Sequence, residues 1–382
     1  MARSTLAVVL LAFIVPALVC GRRHVEYLER SVVSTASIPD ASLSIASGDR
    51  QLPVFFFHGI TNNASEGRNY QANLTAEGRV FVALNFCPGK CSTRSLHVQV
   101  PLAIKQIRAI VASDARFNDG YIFIAQSQGG IIARSVIEEM DDHRVHTFVS
   151  LAGVQNGVFY GPQPADRVPL AVLLRGFGAH VVPPQVFDFA KYANSPTSLR
   201  GEMQRDLARL IVADPDLDSQ YSLVNLGRFP AYNDWITANR FLPVINNVNR
   251  CEAGDDQCLE DKQRRKRNFL KLKAAHFFAS PNDGVVAPWQ LSHFGRYSQV
   301  DTVDDIATAF EDLTIIGMRD TDEYVNDTFG LRSLDDRGAL FLHEVPGVSH
   351  SCWVQDGYRA DDPTQFCSFH EVYDRYVYPL LV

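Results

Sequence analysis

Short runs of β-branched and aromatic residues alternate along the chain with stretches whose apolar positions recur at helical spacing. Val54 to Phe57, Val80 to Leu84 and Tyr121 to Ala125 predict three strands. Between the last two, Val100, Ile104, Ile107 and Val111 predict one buried face of a helix. Val145 to Leu151 predicts a fourth strand, and Ala275 to Ala279 and Ala339 to Val345 two more. Strands alternating with helices predict an α/β fold, a mostly parallel sheet covered by helices. From Gln155 to about Arg250 the strand pattern lapses, while Pro, Phe, Tyr and Leu remain frequent. That region reads as a helical insertion folded over the sheet, where a lid or an acyl groove can be built. A helical domain remote from any site is the alternative.

Composition narrows the picture. At 382 residues with 46% hydrophobic and 21% charged, the chain has ample apolar surface to outweigh chain entropy, which excludes a disordered protein. Its formal charge of −7 supplies no basic field to recruit phosphates, so nucleic acid is not an expected partner. Met1-Ala2-Arg3 precedes an uncharged apolar run from Leu6 to Val19, followed by Cys20-Gly21-Arg22-Arg23. This is the layout of a secretory signal peptide over residues 1–21, cut near Ala17 or Gly21. The run is shorter than the ~20 residues of a spanning helix, and no later run is long enough to make a transmembrane segment.

Beyond the leader, the cysteines are Cys87, Cys91, Cys251, Cys258, Cys352 and Cys367. An even number in a secreted chain reads as disulfides, and three close pairs in sequence make local bridges the simplest expectation. Asn63, Asn73 and Asn326 each open an Asn-X-Ser/Thr sequon and are expected on surface loops able to accept glycans. The basic run Lys262 to Arg267 reads as a solvated helix face, or else as a dibasic site open to a secretory protease.

The chemistry concentrates at three places. Ala125-Gln126-Ser127-Gln128-Gly129-Gly130 follows a strand and opens a helical pattern, the context of a nucleophile elbow that holds Ser127 in a strained turn. Ala125 stands where the motif usually has Gly. A serine needs a base, and the base an orienting carboxylate, in the chain order Ser, acid, His on this fold. Asp283, in the turn Ser280-Pro281-Asn282-Asp283-Gly284 after the fifth strand, fits the acid. His350 fits the base, since it alone among the histidines lies in the loop directly after the last strand. His343 falls within that strand, His370 well beyond it, and His58 stands before the nucleophile in a structural role. An oxyanion hole needs two backbone N–H groups, and these are expected from Gln128, at the start of the helix after Ser127, and from Ile60, in the Phe57-His58-Gly59-Ile60 loop. The sequence holds no HExxH, no zinc-spaced cysteine set and no phosphate-binding glycine loop, so no cofactor and no metal is expected.

With these motifs in place, the chain resembles the palmitoyl-protein thioesterases, lysosomal α/β-hydrolases. The likeness runs from about Pro53 to the end. It rests on the His-Gly-Ile loop, Ser127-Gln128-Gly129-Gly130, Met140-Asp141-Asp142-His143 before Phe148 to Leu151, and Asp283-Gly284-Val285-Val286 with Pro288-Trp289-Gln290. The segments Phe329 to Arg332, Arg337 to Leu340 and Gly347 to His350 are closer to the second lysosomal branch, associated with acyl thioesters but poor on acylated proteins. The resemblance implies one α/β-hydrolase domain over 22–382 with a helical cap at about 155–250, and a triad of Ser127, Asp283 and His350. It also implies a long-chain acyl thioester substrate, acyl-CoA or an S-acylated peptide, and a lysosomal or secreted location. An oxyester lipase or esterase on the same fold is the nearest rival, and a catalytically dead lipid carrier the more distant one.

Overall fold

Strand β1 (Val54–Phe57) is buried at all four positions. A run of Val and Phe without polar alternation is what a strand covered on both faces requires. The computed structural model describes residues 51–194 and 199–381; the expected leader lies outside them. β2 (Phe81–Ala83), β3 (Tyr121–Gln126), β4 (Val145–Leu151) and β5 (Ala274–Ala279) follow along the chain. The short β6 (Arg296–Tyr297) and β7 (Ile315–Ile316) pair with each other, β8 (Leu340–Glu344) returns to the main sheet, and β9 (Gly357–Tyr358) and β10 (Phe366–Cys367) form a hairpin. The main sheet has the order β2-β1-β3-β4-β5-β8, parallel throughout. In register, Phe57 lies opposite Ala125 and Gln126 opposite Leu151. Parallel strands end together, so the loops after β1, β3, β5 and β8 share one edge, where sites of such sheets are built.

Side chains alternate across a strand, and β1 sends its four to two different cores. Phe55 and Phe57 join a cluster on the side of α2 (Leu96–Ser113) and α3 (Gln128–Glu139). Val54 and Phe56 join a second cluster with Tyr70 and Leu74 of α1 (Arg68–Ala76) and with Trp353, Phe369 and Tyr373 near the C-terminus. The buried face of α2 is Leu96, Gln99, Val100, Ala103 and Ile107. Ile104 and Val111, expected on that face, lie at its half-buried flank, because the buried stripe runs through 96, 99, 100, 103 and 107 and these two positions fall beside it.

Between β4 and β5 the chain forms α4 (Arg167–Val172), α5 (Gly178–Val181), α6 (Leu199–Ala213), α7 (Ser222–Leu226), α8 (Tyr232–Ala238) and α9 (Leu242–Ile245). Part of this region has an apolar cluster of its own, including Tyr160, Leu170, Leu173, Phe187 and Phe189.

Two surface expectations change. The basic run lies on α10 (Asp256–Phe269) but is not a solvated face. Arg264 and Arg265 both pair with Glu139, Lys262 donates to the Asn249 carbonyl, and Lys266 pairs with Asp327. Only Gln263 and Arg267 of the run are exposed, because the C-terminal end of α3 is acidic and α10 packs against it. Asn73 sits half-buried within α1 and donates to the Asn69 carbonyl, so it is not on a loop; Asn63 and Asn326 are exposed beside short helical turns. The disulfides are Cys87–Cys91, Cys251–Cys258 and Cys352–Cys367, with Cα separations of 5.0, 5.7 and 6.0 Å. Among the described residues no helix is long and apolar enough to cross a membrane.

Candidate active site

A single residue, Ser127, separates β3 from α3, and it takes φ 55°, ψ −129°. Such a conformation costs a non-glycine residue ~1–3 kcal/mol and persists only where its surroundings fix it. Here the Ser127 N–H donates to the Leu151 carbonyl at 3.1 Å, and the Ser127 carbonyl accepts from Gly130 and Val154 at 2.9 and 3.2 Å. The glycines after it serve close approach. A Cβ on Gly129 would stand 2.5 Å from the Phe57 carbonyl oxygen, and one on Gly130 2.7 Å from the Gly153 Cα. The start of α3 is thereby pressed between the loops after β1 and β4. Ala125, one of the β3 residues before the turn, is fully buried.

Asp283 is 3% exposed. Its Oδ1 accepts from the Val285 and Val286 amides at 3.0 and 2.7 Å, and its Oδ2 accepts from His350 Nδ1 at 2.8 Å. The His350 amide donates back to the Asp283 carbonyl at 2.8 Å, Asn282 Oδ1 accepts from the Gly347 amide, and Gln126 Nε2 donates to the His350 carbonyl at 3.1 Å. The loops after β5 and β8 and the end of β3 are thus tied directly around the imidazole. Cys352–Cys367 fastens the turn that begins at His350 to β10. Burial opposes a charged imidazole, but the Asp283 carboxylate, by charge and hydrogen bond, and Glu66 in addition outweigh it and hold the His350 pKa above its ordinary value.

Ser127 and His350 open into one cavity of about 370 Å³, whose wall also includes Ile60, Glu66, Val172 and Phe177. Of four successive amides in the loop after β1, three are committed: Gly59 donates to Glu66 Oε2 at 2.6 Å, Thr61 to Ser92 Oγ at 2.6 Å, and Asn62 to the Gly59 carbonyl at 3.3 Å. The Ile60 N–H has no partner among the described residues. Gln128 is the first residue of α3, where the amides have no intrahelical acceptor and the helix dipole is positive. Its side chain is pinned aside, donating to the Ser92 carbonyl at 2.8 Å. A cavity with a serine, a charge-oriented imidazole and unspent amides can take up an acyl carbonyl and stabilise a developing oxyanion.

The other histidines are placed elsewhere. His58 is buried, stacks on Phe86 at 4.8 Å, and burial pushes its pKa down. His343 stacks on Phe278 at 4.2 Å with burial lowering its pKa to about 4, and His370 is exposed. Of the apolar residues clustered near 170–189, Val172 and Phe177 reach the cavity, whereas Leu170, Leu173, Phe187 and Phe189 pack against one another in the insertion's own core. Sequence reasoning missed Glu66 and Ser92. The only available signal was general: a buried amide in a tight loop must find an acceptor, and the next carboxylate after Gly59 is Glu66.

A parallel sheet in this order, with a strained serine between strand and helix and an Asp–His pair at the same edge, is that of an α/β-hydrolase. A family model described as palmitoyl protein thioesterase matches residues 53–350, and the chain belongs to that family. Human lysosomal thioesterase PPT2 is 28% identical over 304 residues, 79% of this chain and 82% of its own length. Lysosomal thioesterase PPT2-B of Xenopus laevis is 31% identical over 61% of this chain and 64% of its own length. The Drosophila melanogaster homolog is 25% identical over 85% and 93%. Among solved structures, a monoacylglycerol lipase from Paleococcus ferrophilus aligns at a TM-score of 0.37 and 15% identity, over 86% of this chain and 93% of its own.

Proposed function

We propose that the protein is a serine thioesterase that hydrolyses long-chain fatty acyl thioesters, palmitoyl among them, through an acyl-enzyme on Ser127. In this reading His350 takes the Ser127 hydroxyl proton as Oγ attacks the thioester carbonyl, and Asp283 keeps the imidazole in the tautomer with Nδ1–H. The oxyanion is met by the Ile60 and Gln128 amides. The C–S bond then breaks, the thiolate leaves with the proton from His350, and water repeats the sequence to release the fatty acid. The carrying observation is the convergence of Ser127 and the Asp283–His350 pair, at 2.8 Å, on one cavity in a member of this family. The relatives named lysosomal thioesterases support the thioester substrate and a lysosomal address. Three disulfides support passage through an oxidising compartment, with secretion as the alternative end point.

The reading extends to one hydrolase domain over 22–382, capped by the insertion at about 155–250, with glycans on the exposed Asn63 and Asn326. Kinship with the second branch favours palmitoyl-CoA over a palmitoylated protein. The test is a panel of palmitoyl-CoA, a palmitoylated peptide and a matched oxyester, with native protein and Ser127→Ala. Hydrolysis of the thioesters by native protein alone supports the reading. A dominant oxyester rate makes the protein an esterase, and equal rates in Ser127→Ala remove the serine mechanism.

A further inference from the structure

Glu66 is a carboxylate in the wall of the cavity that holds Ser127 and His350, and it is tied to the loop that carries Ile60. Its Oε2 accepts from the Gly59 amide at 2.6 Å, and its Oε1 accepts from Asn62 Nδ2. The loop is braced from the other side by Ser92, which accepts from the Thr61 amide and lies just past the Cys87–Cys91 bridge. With Gly59 spent on Glu66 and Thr61 on Ser92, the amide between them is the one left to serve an oxyanion. We propose that Glu66 is a positioning residue of the site: it fixes the Gly59–Ile60 peptide so that the Ile60 amide is the free donor, and it supplies His350 with a second negative charge besides Asp283. This rests on the proposed hydrolytic reading and assigns a residue to it.

The ionisable groups lining the cavity are Glu66, Arg68 and His350. Asp283 bonds His350 at Nδ1, Arg68 donates to Gln355, and His58, whose pKa burial lowers, has Nδ1 at the Gly59 carbonyl. Burial raises the Glu66 pKa to about 7, against the Gly59 and Asn62 hydrogen bonds and the charge of His350. Each of the two charges therefore favours the other: Glu66 raises the His350 pKa, and His350 lowers that of Glu66. When Glu66 gains a proton, His350 loses a stabilising neighbour and stays neutral, able to act as a base, to lower pH than it otherwise would.

Two variants separate the parts. Glu66→Gln keeps an oxygen for the Gly59 amide and deletes the charge; Glu66→Asp keeps the charge and loses the reach. For Glu66→Gln, the expected result is an acid limb of kcat/KM displaced to lower pH and sharpened to a single ionisation. The His350 imidazole, followed by NMR, should titrate at lower pH than in native protein. For Glu66→Asp, kcat should fall on the order of 10- to 100-fold with KM little changed, as when an oxyanion donor is misplaced, while the acid limb holds its position. A Glu66→Gln profile and imidazole titration that both superpose on native overturn the charge role. Native kcat in Glu66→Asp overturns the positioning role. The imidazole titration is read in Ser127→Ala as well, so it stands even if native protein hydrolyses no thioester, and the two failures are distinguishable. A residue that merely stabilised the fold would lower the melting temperature and leave that titration unmoved.

Discussion

Asp283→Asn isolates the orienting carboxylate while preserving its shape. Oδ1 of the asparagine still accepts from the Val285 and Val286 amides, which Asp283 holds at 3.0 and 2.7 Å. What changes is the partner of His350 Nδ1, now at 2.8 Å from a carboxylate oxygen. An amide NH₂ in that place donates, so the imidazole turns to the tautomer with Nδ1 as acceptor and the proton on Nε2. That nitrogen can no longer take a proton from Ser127. A tautomer error of this kind costs roughly 10⁴-fold in kcat, about 5 kcal/mol of activation free energy. The fold should barely notice, because the hydrogen-bond count at this 3% exposed side chain is unchanged. Two readouts follow. Fatty acid released from palmitoyl-CoA, followed by chromatography over pH 4 to 9, should show the collapse in kcat. Its residual acid limb should also lie at lower pH, since Asp283 is what raises the His350 pKa most against burial. Near-native near-UV circular dichroism and melting temperature should accompany it. Activity within tenfold of native, in a folded variant, would refute the assignment of Asp283 and with it the tautomer argument.

Gly129→Ala should unfold the elbow: its Cβ meets backbone oxygens at 2.5 and 2.8 Å, which only a main-chain shift can relieve, so both melting temperature and activity drop. Gly317→Ala, with no atom within 4 Å of its Cβ, is the tolerated control. His143 donates from Nε2 to the Asn268 carbonyl and accepts the Val145 amide at Nδ1; burial, chiefly, pushes its pKa down to about 4. An unfolded histidine gains its proton near 6.5, so this contribution to stability is full above 6.5 and is lost as pH falls toward 4. Urea midpoints should therefore drop over that window, and less so in His143→Gln; equal drops in both proteins would exclude His143 as a source. Reducing Cys352–Cys367, whose first cysteine is two residues past His350, should lower kcat before near-UV dichroism changes, and simultaneous loss would show the bridge to be merely global.

The central strands β1 and β3 were legible because a parallel strand buried on both faces has no polar alternation to confuse it: β1 reads Val-Phe-Phe-Phe and both are buried throughout. The elbow was legible for a related reason, since a strand, a serine and paired glycines leave one sharp turn to connect them. Pairing between distant segments was not legible. Nothing local marks Lys262 to Arg267 as the partner of an acidic helix end some 120 residues earlier, and a charge run by itself has the same pattern whether solvated or paired. Glu66 was hidden in the same way. It lies in a polar stretch typical of a surface loop, and its importance comes from the one buried amide at Gly59 that it satisfies.

The insertion shows where composition stops being informative about selectivity. Its apolar residues were dense enough to suggest an acyl groove, but density alone cannot separate a wall from a core. The structure divides them: Val172 and Phe177 face the cavity with Ser127, while Leu170, Leu173, Phe187 and Phe189 are buried against one another and against Tyr160 and Met203. Burying a methylene contributes ~0.8 kcal/mol wherever it occurs, so the second set has its energy committed to holding the insertion together. It can contribute to acyl binding only if those contacts open. Chain-length preference should consequently respond to Val172 through KM without loss of fold, whereas truncating Phe187 or Leu173 should act on stability first; Phe177 lines the cavity and also packs on that core, so its truncation should move both. Val172 and Leu173 are neighbours in sequence with different surroundings, the first lining the cavity and the second buried in the insertion's core, while Phe177 touches both.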